Sequence, residues 1–465
     1  MPPRVASPPA SAATPTAPVD RARGPWVKAG VMAWYGLLVL IIAAIFGSMD
    51  RQILVLLGEP MRQSLQMSDT SFGLLQGAGI TLFAGAAAVP LGWLADRFGR
   101  RAILAVCVLI WSMATAACGF AQDFSTLFVA AAGLGLGEAG LAPIVFGLIP
   151  DIMPEHRRAL ANGIYSLAGA LGGGLGMAAS GALVHNMDAI RPFLPSSLHG
   201  FEVWRLAFLA VAMPGPVVAL LILLIRMHPG RASVQVRGAG SGGRQSQHEM
   251  SRYLRTHRIT LVSIFVAIGL ASLGLAATGI WLPIIAARSF GATPAQIGEH
   301  IGAAFVFGIL AGAAVGAVSV RLLHARLREA TPMRVLSLGT FGAALAFLPL
   351  LHLRSVNELY LICCLQGVSL TAGTVLIPTV MQDITPVAVR SRAIALGSVV
   401  IVALSSLSPV LVGVLSDALT STPQALPAAV TIVGTCSLLL AAALFYAAEK
   451  PFVRTVKTLH PEAEL

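Results

Sequence analysis

The sequence predicts an all-α membrane protein of twelve transmembrane helices in two six-helix, pseudo-symmetric bundles. Three observations carry that prediction. Of 465 residues, 56% are apolar and only 11% charged, where soluble domains run near 25% charged. With a mean hydropathy of +0.81, 31 bases and 20 acids are too few to clothe a soluble particle. The apolar residues also gather in runs nearly free of charge, among them Val31–Met49, Ile103–Ala121, Ile259–Ala287 and Ala425–Ala448. A run of about 18 or more reads as a membrane-crossing helix. Finally, two loops half a chain apart share a pattern. Asp151-Ile-Met-Pro154 precedes Arg158-Ala-x-Ala-x-Gly163, and Asp383-Ile-Thr-Pro386 precedes Arg392-Ala-x-Ala-x-Gly397. A duplicated transporter, with its substrate site between the halves, predicts such a match.

Taken in order, residues 1–28 are rich in Pro, Ala, Ser and Thr and lack an apolar core. They read as a disordered cytoplasmic tail and not as a signal peptide. Spans follow near 31–57, 72–95, 102–121, 125–150, 159–185, 204–226, 258–287, 297–320, 335–353, 358–381, 393–416 and 425–448. Polar stretches interrupt them at Asn186–Val203 and at the Gly/Ser/Arg-rich Met227–Arg258. The expected organisation is therefore an N-terminal bundle over 29–226, a cytoplasmic central loop over 227–258 and a C-terminal bundle over 259–448. Residues 449–465 form a cytoplasmic tail.

The formal charge of +11 would suggest nucleic acid in a soluble chain. Its placement points elsewhere. With the N-terminus in the cytoplasm, 25 of the 31 bases fall on inner segments and five (Arg62, Arg191, Arg205, Arg288, Arg354) on outer loops, while Arg51 lies within span one. By the positive-inside rule both termini are cytoplasmic, and the number of spans is even. No Gly-rich loop ends in Lys-Ser or Lys-Thr, so a phosphate-cradling P-loop is excluded. The five cysteines all sit in apolar runs without a Cys-x-x-Cys pair, as buried small hydrophobes do. No cofactor, metal or enzymatic activity is expected.

Three ionisable residues stand within the spans. Asp50 and Arg51 lie in span one, and Glu138 lies in Gly133-Leu-Gly135-Leu-Gly137-Glu138, near the middle of span four. Charges inside a membrane are costly and mark ion or substrate paths by default. Neighbours on a helix point about 100° apart, so Asp50 and Arg51 do not neutralise each other. Glu138 is too short to reach the interface and is either protonated or paired with a cation such as Arg51. Alternatively, span one ends near Ser48 and its pair sits among the headgroups. Candidate cavity groups are Gln76, Tyr165, Ser166, Thr278, Trp281, Gln366 and Thr374, each of which can instead serve a helix–helix hydrogen bond. Pro143, Pro283, Pro378 and Pro409 are expected to kink their helices, and Gly308-x-x-x-Gly312-x-x-x-Gly316 reads as packing.

The loop after span two reads Gly92-Trp-Leu-Ala-Asp96-Arg97-Phe-Gly99-Arg100-Arg101. Asp96 is placed to pair with loop arginines or a neighbouring helix N-terminus, as a cytoplasmic gate would in one conformation. Asp151, Arg158, Asp383 and Arg392 in the two repeated loops belong to the same gate. This loop resembles the signature of the major facilitator superfamily. Ser48-Met-Asp50-Arg51, Gly73-Leu-Leu-Gln76, the span-four glycines with Glu138, and Trp281-Leu-Pro283-x-x-x-x-Arg288 are similar to its Spinster-like branch. That resemblance implies that Asp50 and Glu138 are proton-coupling carboxylates and Arg51 their partner. Animal members move lysophospholipids or sphingosine phosphate. Relatives often carry an arginine seven residues before the span-four glutamate, where this chain has Ala131.

The expected function is proton-coupled secondary transport of an amphipathic or organic anionic small molecule by alternating access. The expected partners are that molecule, protons and the lipid bilayer of a bacterial cell membrane, with no nucleic acid and with function as a monomer. Two alternatives stand beside it. One is a passive facilitator with a structural Asp50/Arg51/Glu138 cluster, and the other a non-transporting membrane sensor.

Overall fold

The computed structural model describes residues 30–226, 252–386, 389–419, 422 and 424–459. The predicted tail 1–28, nearly all of the central loop and the last residues of the predicted C-terminal tail lie outside them. Among the described residues, eleven apolar helical stretches are long enough to cross a bilayer. One of them, Pro294–His352 with 59 residues, would measure about 88 Å as a single helix, against a hydrocarbon core of about 30 Å. It is two crossings. The chain leaves helical geometry at Arg328, with φ of 47°, and helix resumes at Thr331.

The described residues thus make twelve crossings: α1 Val31–Leu56, α2 Asp69–Phe98, α3 Arg100–Phe120, α4 Phe124–Ile152, α5 Arg158–His185 and α6 Val203–Leu223 in the first half. The second half holds α7 Arg258–Phe290, α8 Pro294–Leu327, α9 Thr331–Leu345, α10 Val356–Ile384, α11 Arg390–Ala418 and α12 Ala425–Leu459. No strand occurs among these residues. The even-numbered helices start at the end of the molecule opposite to the start of α1, here called the far end. There the sequence caps them. Ser68, Asp123, Thr293 and Ser355 each accept a backbone N–H from the first turn of α2, α4, α8 and α10.

Each predicted span overlies one crossing, with one clear extension. α12 continues past Ala448 to Leu459, through most of the stretch read as a tail. Phe452 and Thr455 are buried there, and the Thr455 hydroxyl lies 3.0 Å from that of Thr260 at the start of α7. Packing, not hydropathy, ends this helix. Of the four expected kinks, those at Pro143 and Pro378 follow short interruptions of regular helix in which the backbone stays right-handed. α4 interrupts at Gly140 and α10 at Val375–Leu376, and each proline falls in the first turn of the resumed helix, where its missing N–H costs nothing. α7 and α11 run continuously through Pro283 and Pro409.

The halves meet along two glycine seams. Where α5 crosses α8, a Cβ on Gly298 would stand 2.7 Å from Cα of Gly181 and 2.8 Å from the Met177 carbonyl. One on Gly302 would stand 2.7 Å from the Gly174 carbonyl. Where α2 crosses α11, side chains at Gly73 and Gly77 would collide with the backbone carbonyls of Pro409 and Ser406. Bare glycine backbones are what allow such close approach. Gly163 lies about five turns from Gly181 on the same face of α5, yet a Cβ there would meet nothing within 4 Å. The halves are therefore sealed toward the far end and part toward the end that carries the start of α1.

Gly298→Val overpacks the α5–α8 seam and should shift the protein toward conformers with this seam open, against a cost of about 1–3 kcal/mol in the sealed one. A cysteine at Ala178, in a Cys436→Ser background, should then react faster with a hydrophilic maleimide; an unchanged rate would contradict the seam's role.

Candidate transport site

Glycines set the approach of the helices that carry the intramembrane charges. A Cβ on Gly137 of α4 would stand 2.6 Å from the Trp111 amide nitrogen of α3, and one on Gly176 of α5 3.0 Å from the Met49 nitrogen of α1. α4 therefore lies flush on α3, and α5 flush on the stretch of α1 just before Asp50. Arg51 then reaches Glu138. Its Nε donates to Glu138 Oε2 at 3.0 Å, and its Nη2 donates to the same oxygen. Glu138 Oε1 has no partner. The pair is lopsided in exposure, with the Arg51 side chain 56% accessible and the Glu138 side chain 4%. The Arg51 side chain is thus half accessible while the carboxylate it pairs with is enclosed.

Asp50 points the other way, as the helical turn requires. It is 2% exposed, has Thr115 and Glu138 as neighbours, and leaves Oδ1 without a partner. The Thr115 hydroxyl, 2.9 Å from the Trp111 carbonyl, also lies within hydrogen-bonding reach of Asp50 and can serve either group, as a hydroxyl both donates and accepts. Thr115 belongs to this site and was not legible in the sequence, where it is one hydroxyl in an apolar run.

The candidate cavity residues separate into two groups. Gln76, Thr278, Trp281 and Gln366 are all buried. Thr278 donates to Gln366 Oε1, Trp281 meets Phe72 edge-on at 5.6 Å, and Gln76 Nε2, Trp281 Nε1 and Gln366 Nε2 lack partners. These donors are enclosed and do not line the open space in this conformation. Gln76 sits in a π-helical stretch of α2, Leu75–Leu82, of the sort that recurs at functional sites. Tyr165 is buried against Phe146 at 5.5 Å, Ser166 is exposed, and the Thr374 hydroxyl is spent on the Leu370 carbonyl at 3.0 Å.

At the opposite end from the seams, Arg100 organises the loop after α2. It donates to Asp96 at 2.8 Å, to Asp151 at 3.0 Å and to the Gly147 carbonyl at 2.8 Å. Arg101 reaches the Ile225 carbonyl at 2.8 Å, and Arg97 lies over Trp93 and Phe98. Gly99 takes φ of +99° between two helices, a conformation that favours glycine. Gly92 has open space beside it. In this conformation Asp96 therefore ties α2 to α3 within one bundle, and not to a helix of the other.

Residues 39–364 match the family model of the Major Facilitator Superfamily. The chain belongs to that superfamily. It is similar to an MFS-type efflux pump of Mycolicibacterium smegmatis, 26% identical over 91% of this chain and 94% of that one. It is also similar to a sphingosine-1-phosphate transporter of Danio rerio, 27% identical over 70% of this chain and 62% of the relative. Among solved structures, a bacterial homologue of the human lysosomal transporter Spinster, inward-facing and unoccupied, superposes with a TM-score of 0.75. The identity is 21%, over 93% of this chain and 98% of that one. The chain is accordingly a secondary transporter working by alternating access and not an enzyme, and its likeness to Spinster-type proteins agrees with the motifs that resemble that branch.

The internal duplication of the superfamily fold is visible in one detail that the sequence match misplaces. Arg158 donates to the carbonyls of Pro150 at 3.2 Å and Met153 at 3.4 Å, closing the end of α4. The residue that does this for α10 is Arg390, at 3.1 Å from the Gln382 carbonyl and 3.2 Å from that of Thr385. Arg392, paired with Arg158 by the Arg-Ala-x-Ala-x-Gly match, is two places further along; both it and Asp383 have other interactions. The offsets of five and eight residues back from each arginine are the same, so helix-end geometry preserved the register that the motif match lost. Arg390→Ala should lower the melting temperature about as much as Arg158→Ala, each costing about 1 kcal/mol. A large loss for one and none for the other, by thermal unfolding in detergent, would contradict this equivalence.

Proposed function

We propose that the chain is a proton-coupled carrier of an amphipathic or organic anion, with both termini in the cytoplasm of a bacterial plasma membrane. The observation that carries this reading is the buried Asp50, one carboxylate oxygen unpartnered, beside the Arg51–Glu138 pair. An unpaired carboxylate inside a low-dielectric bundle is held neutral by a proton.

Coupling then works by competition for Arg51. While Glu138 is ionised, it occupies the guanidinium. A proton on Glu138 releases Arg51, which is already exposed to the open space, to hold an anionic group. With Ala131 where relatives often carry a second arginine, the binding of that group rests on this one cation. The apolar remainder of an amphipathic molecule suits an open space walled by membrane helices. One relative, a sphingosine-1-phosphate transporter, fits this chemistry, and another, an efflux pump, fits export. The distribution of bases supports cytoplasmic termini, which makes the described conformation inward-open. Both seams lie within one chain, in keeping with function as a monomer.

A passive facilitator with a fixed charge cluster is the second reading, since Arg51 and Glu138 neutralise each other at rest. In liposomes, a lysolipid or organic acid that stabilises the protein against heat should accumulate under an imposed pH gradient. Asp50→Asn and Glu138→Gln should abolish that accumulation while leaving the melting temperature nearly unchanged. Gradient-driven uptake surviving in either variant would sink the coupling assignment, and wild-type flux indifferent to pH would favour the facilitator.

A further inference from the structure

At the far end, where the seams close, a second set of charges joins the two bundles and takes no part in the site above. Arg288, in the last turn of α7, grips Asp69 of α2 with two parallel bonds, Nη2 to Oδ1 at 2.7 Å and Nη1 to Oδ2 at 2.9 Å. It also donates to Glu59 Oε2 from Nη2 at 2.9 Å and from Nε at 3.2 Å. Glu59 belongs to the short helix Gly58–Ser64 that follows α1, and Arg62 holds it from within its own bundle at 3.0 Å. From α11, Ser416 donates to Asp69 Oδ2 at 2.7 Å. Its neighbour Asp417 accepts the backbone N–H groups of Asp69 at 3.2 Å and Thr70 at 2.8 Å. The first turn of α2 is thus capped by a residue of the other bundle.

The arrangement has the form of a clasp. Forked arginine–carboxylate bonds are among the stronger and more direction-dependent contacts available to side chains. Those made by Arg288, Ser416 and Asp417 run from the C-terminal bundle to the N-terminal one, so parting the bundles here breaks them together. The Asp69 and Glu59 side chains are 6% and 7% exposed, so they would lose partners before gaining full solvation.

We propose that Arg288, gripping Asp69 and Glu59, is the positioning residue of the far-end gate: it holds the bundles closed there while the other end is open, and its release is an obligatory step of alternating access. It touches no substrate. The proposal rests on the transporter reading but not on proton coupling. Glu59 supports a division of labour. Burial acts to raise its carboxyl, but the bonds from Arg62, Arg288 and Gln63 outweigh this and leave it below the ordinary carboxylate range. Its hold is complete above that range and fades only as pH falls through the lowered value. The clasp therefore stays charged at neutral and mildly acidic pH, and proton input is left to the intramembrane carboxylates.

The test uses the full chain in lipid nanodiscs with spin labels at exposed positions. Gln122 and Asn357 report the far end, and Glu155 and Arg326 the opposite end. In Arg288→Ala the Gln122–Asn357 distances should gain a longer component several-fold more populated than in the parent, while the Glu155–Arg326 distances shorten. Arg288→Lys should restore part of the parent distribution. Arg205→Ala, whose bonds to Glu202 and Gly119 stay within one bundle, should change neither pair. Unchanged distributions in a folded Arg288→Ala protein would overturn the proposal. If that variant does not fold, Ser416→Ala and Asp417→Asn carry the test, with the same direction expected and no shift overturning it. The distances need no substrate and no pH gradient, so this outcome is separate from that of the coupling assignment.

Discussion

An ionised carboxylate inside a hydrocarbon layer needs a counter-charge or a proton, and the architecture follows from how this chain meets that need twice within a few residues. Glu138 takes the counter-charge, from Arg51. Asp50, next to Arg51 but turned away from it, has the Thr115 hydroxyl as its neighbour and one unpartnered oxygen. The glycines of α4 and α5 are subordinate to this arrangement, because side chains at Gly137 or Gly176 would push Glu138 and the α1 stretch before Asp50 away from their neighbours. A buried pair of this kind contributes little to stability on balance. In the proposed coupling its value lies in being easy to unmake, since one proton on Glu138 would dissolve it.

The two ends of the molecule solve different problems with similar residues. Where the bundles part, Arg100 ties Asp96 and Asp151 inside one bundle. Where they close, Arg288 ties residues of one bundle to the other. Along the seams glycines face backbone and small or β-branched side chains such as Ala178, Val306, Val402 and Val410, so rocking of the bundles disturbs few long interlocked side chains. Charge is concentrated at the ends, where the proposed gating is decided, and at one buried site, where the proposed coupling would read a proton. Such a layout suits a carrier whose halves move largely as rigid bodies around a central site.

Much of this was legible in the sequence, for definite reasons. Apolar runs had to be helices because a bilayer offers no partner for free backbone groups. The Arg51–Glu138 pair was foreseeable because Arg51 was the one cation placed inside a span. That same reasoning hid Arg288. Its helix was read as ending at 287, which made Arg288 a loop base, whereas α7 continues to Phe290 and aims the side chain across the bundle gap. Residues 449–459 looked like a tail because hydropathy registers lipid and not the protein surface that α12 covers. Arg392 was chosen over Arg390 because a string of small residues around an arginine is easier to match than a helix end. The enclosure of Gln76, Trp281 and Gln366 depends on which end of the carrier is closed, and a sequence does not encode a single conformation.

The central claim is that Asp50 carries a proton in this conformation while Glu138 is ionised against Arg51. Infrared difference spectroscopy of the reconstituted protein at neutral pH tests it most directly. The account predicts a carbonyl stretching band from a protonated carboxylic acid that disappears in Asp50→Asn and persists in Glu138→Gln. A band that survives in Asp50→Asn, or that vanishes only in Glu138→Gln, would contradict it.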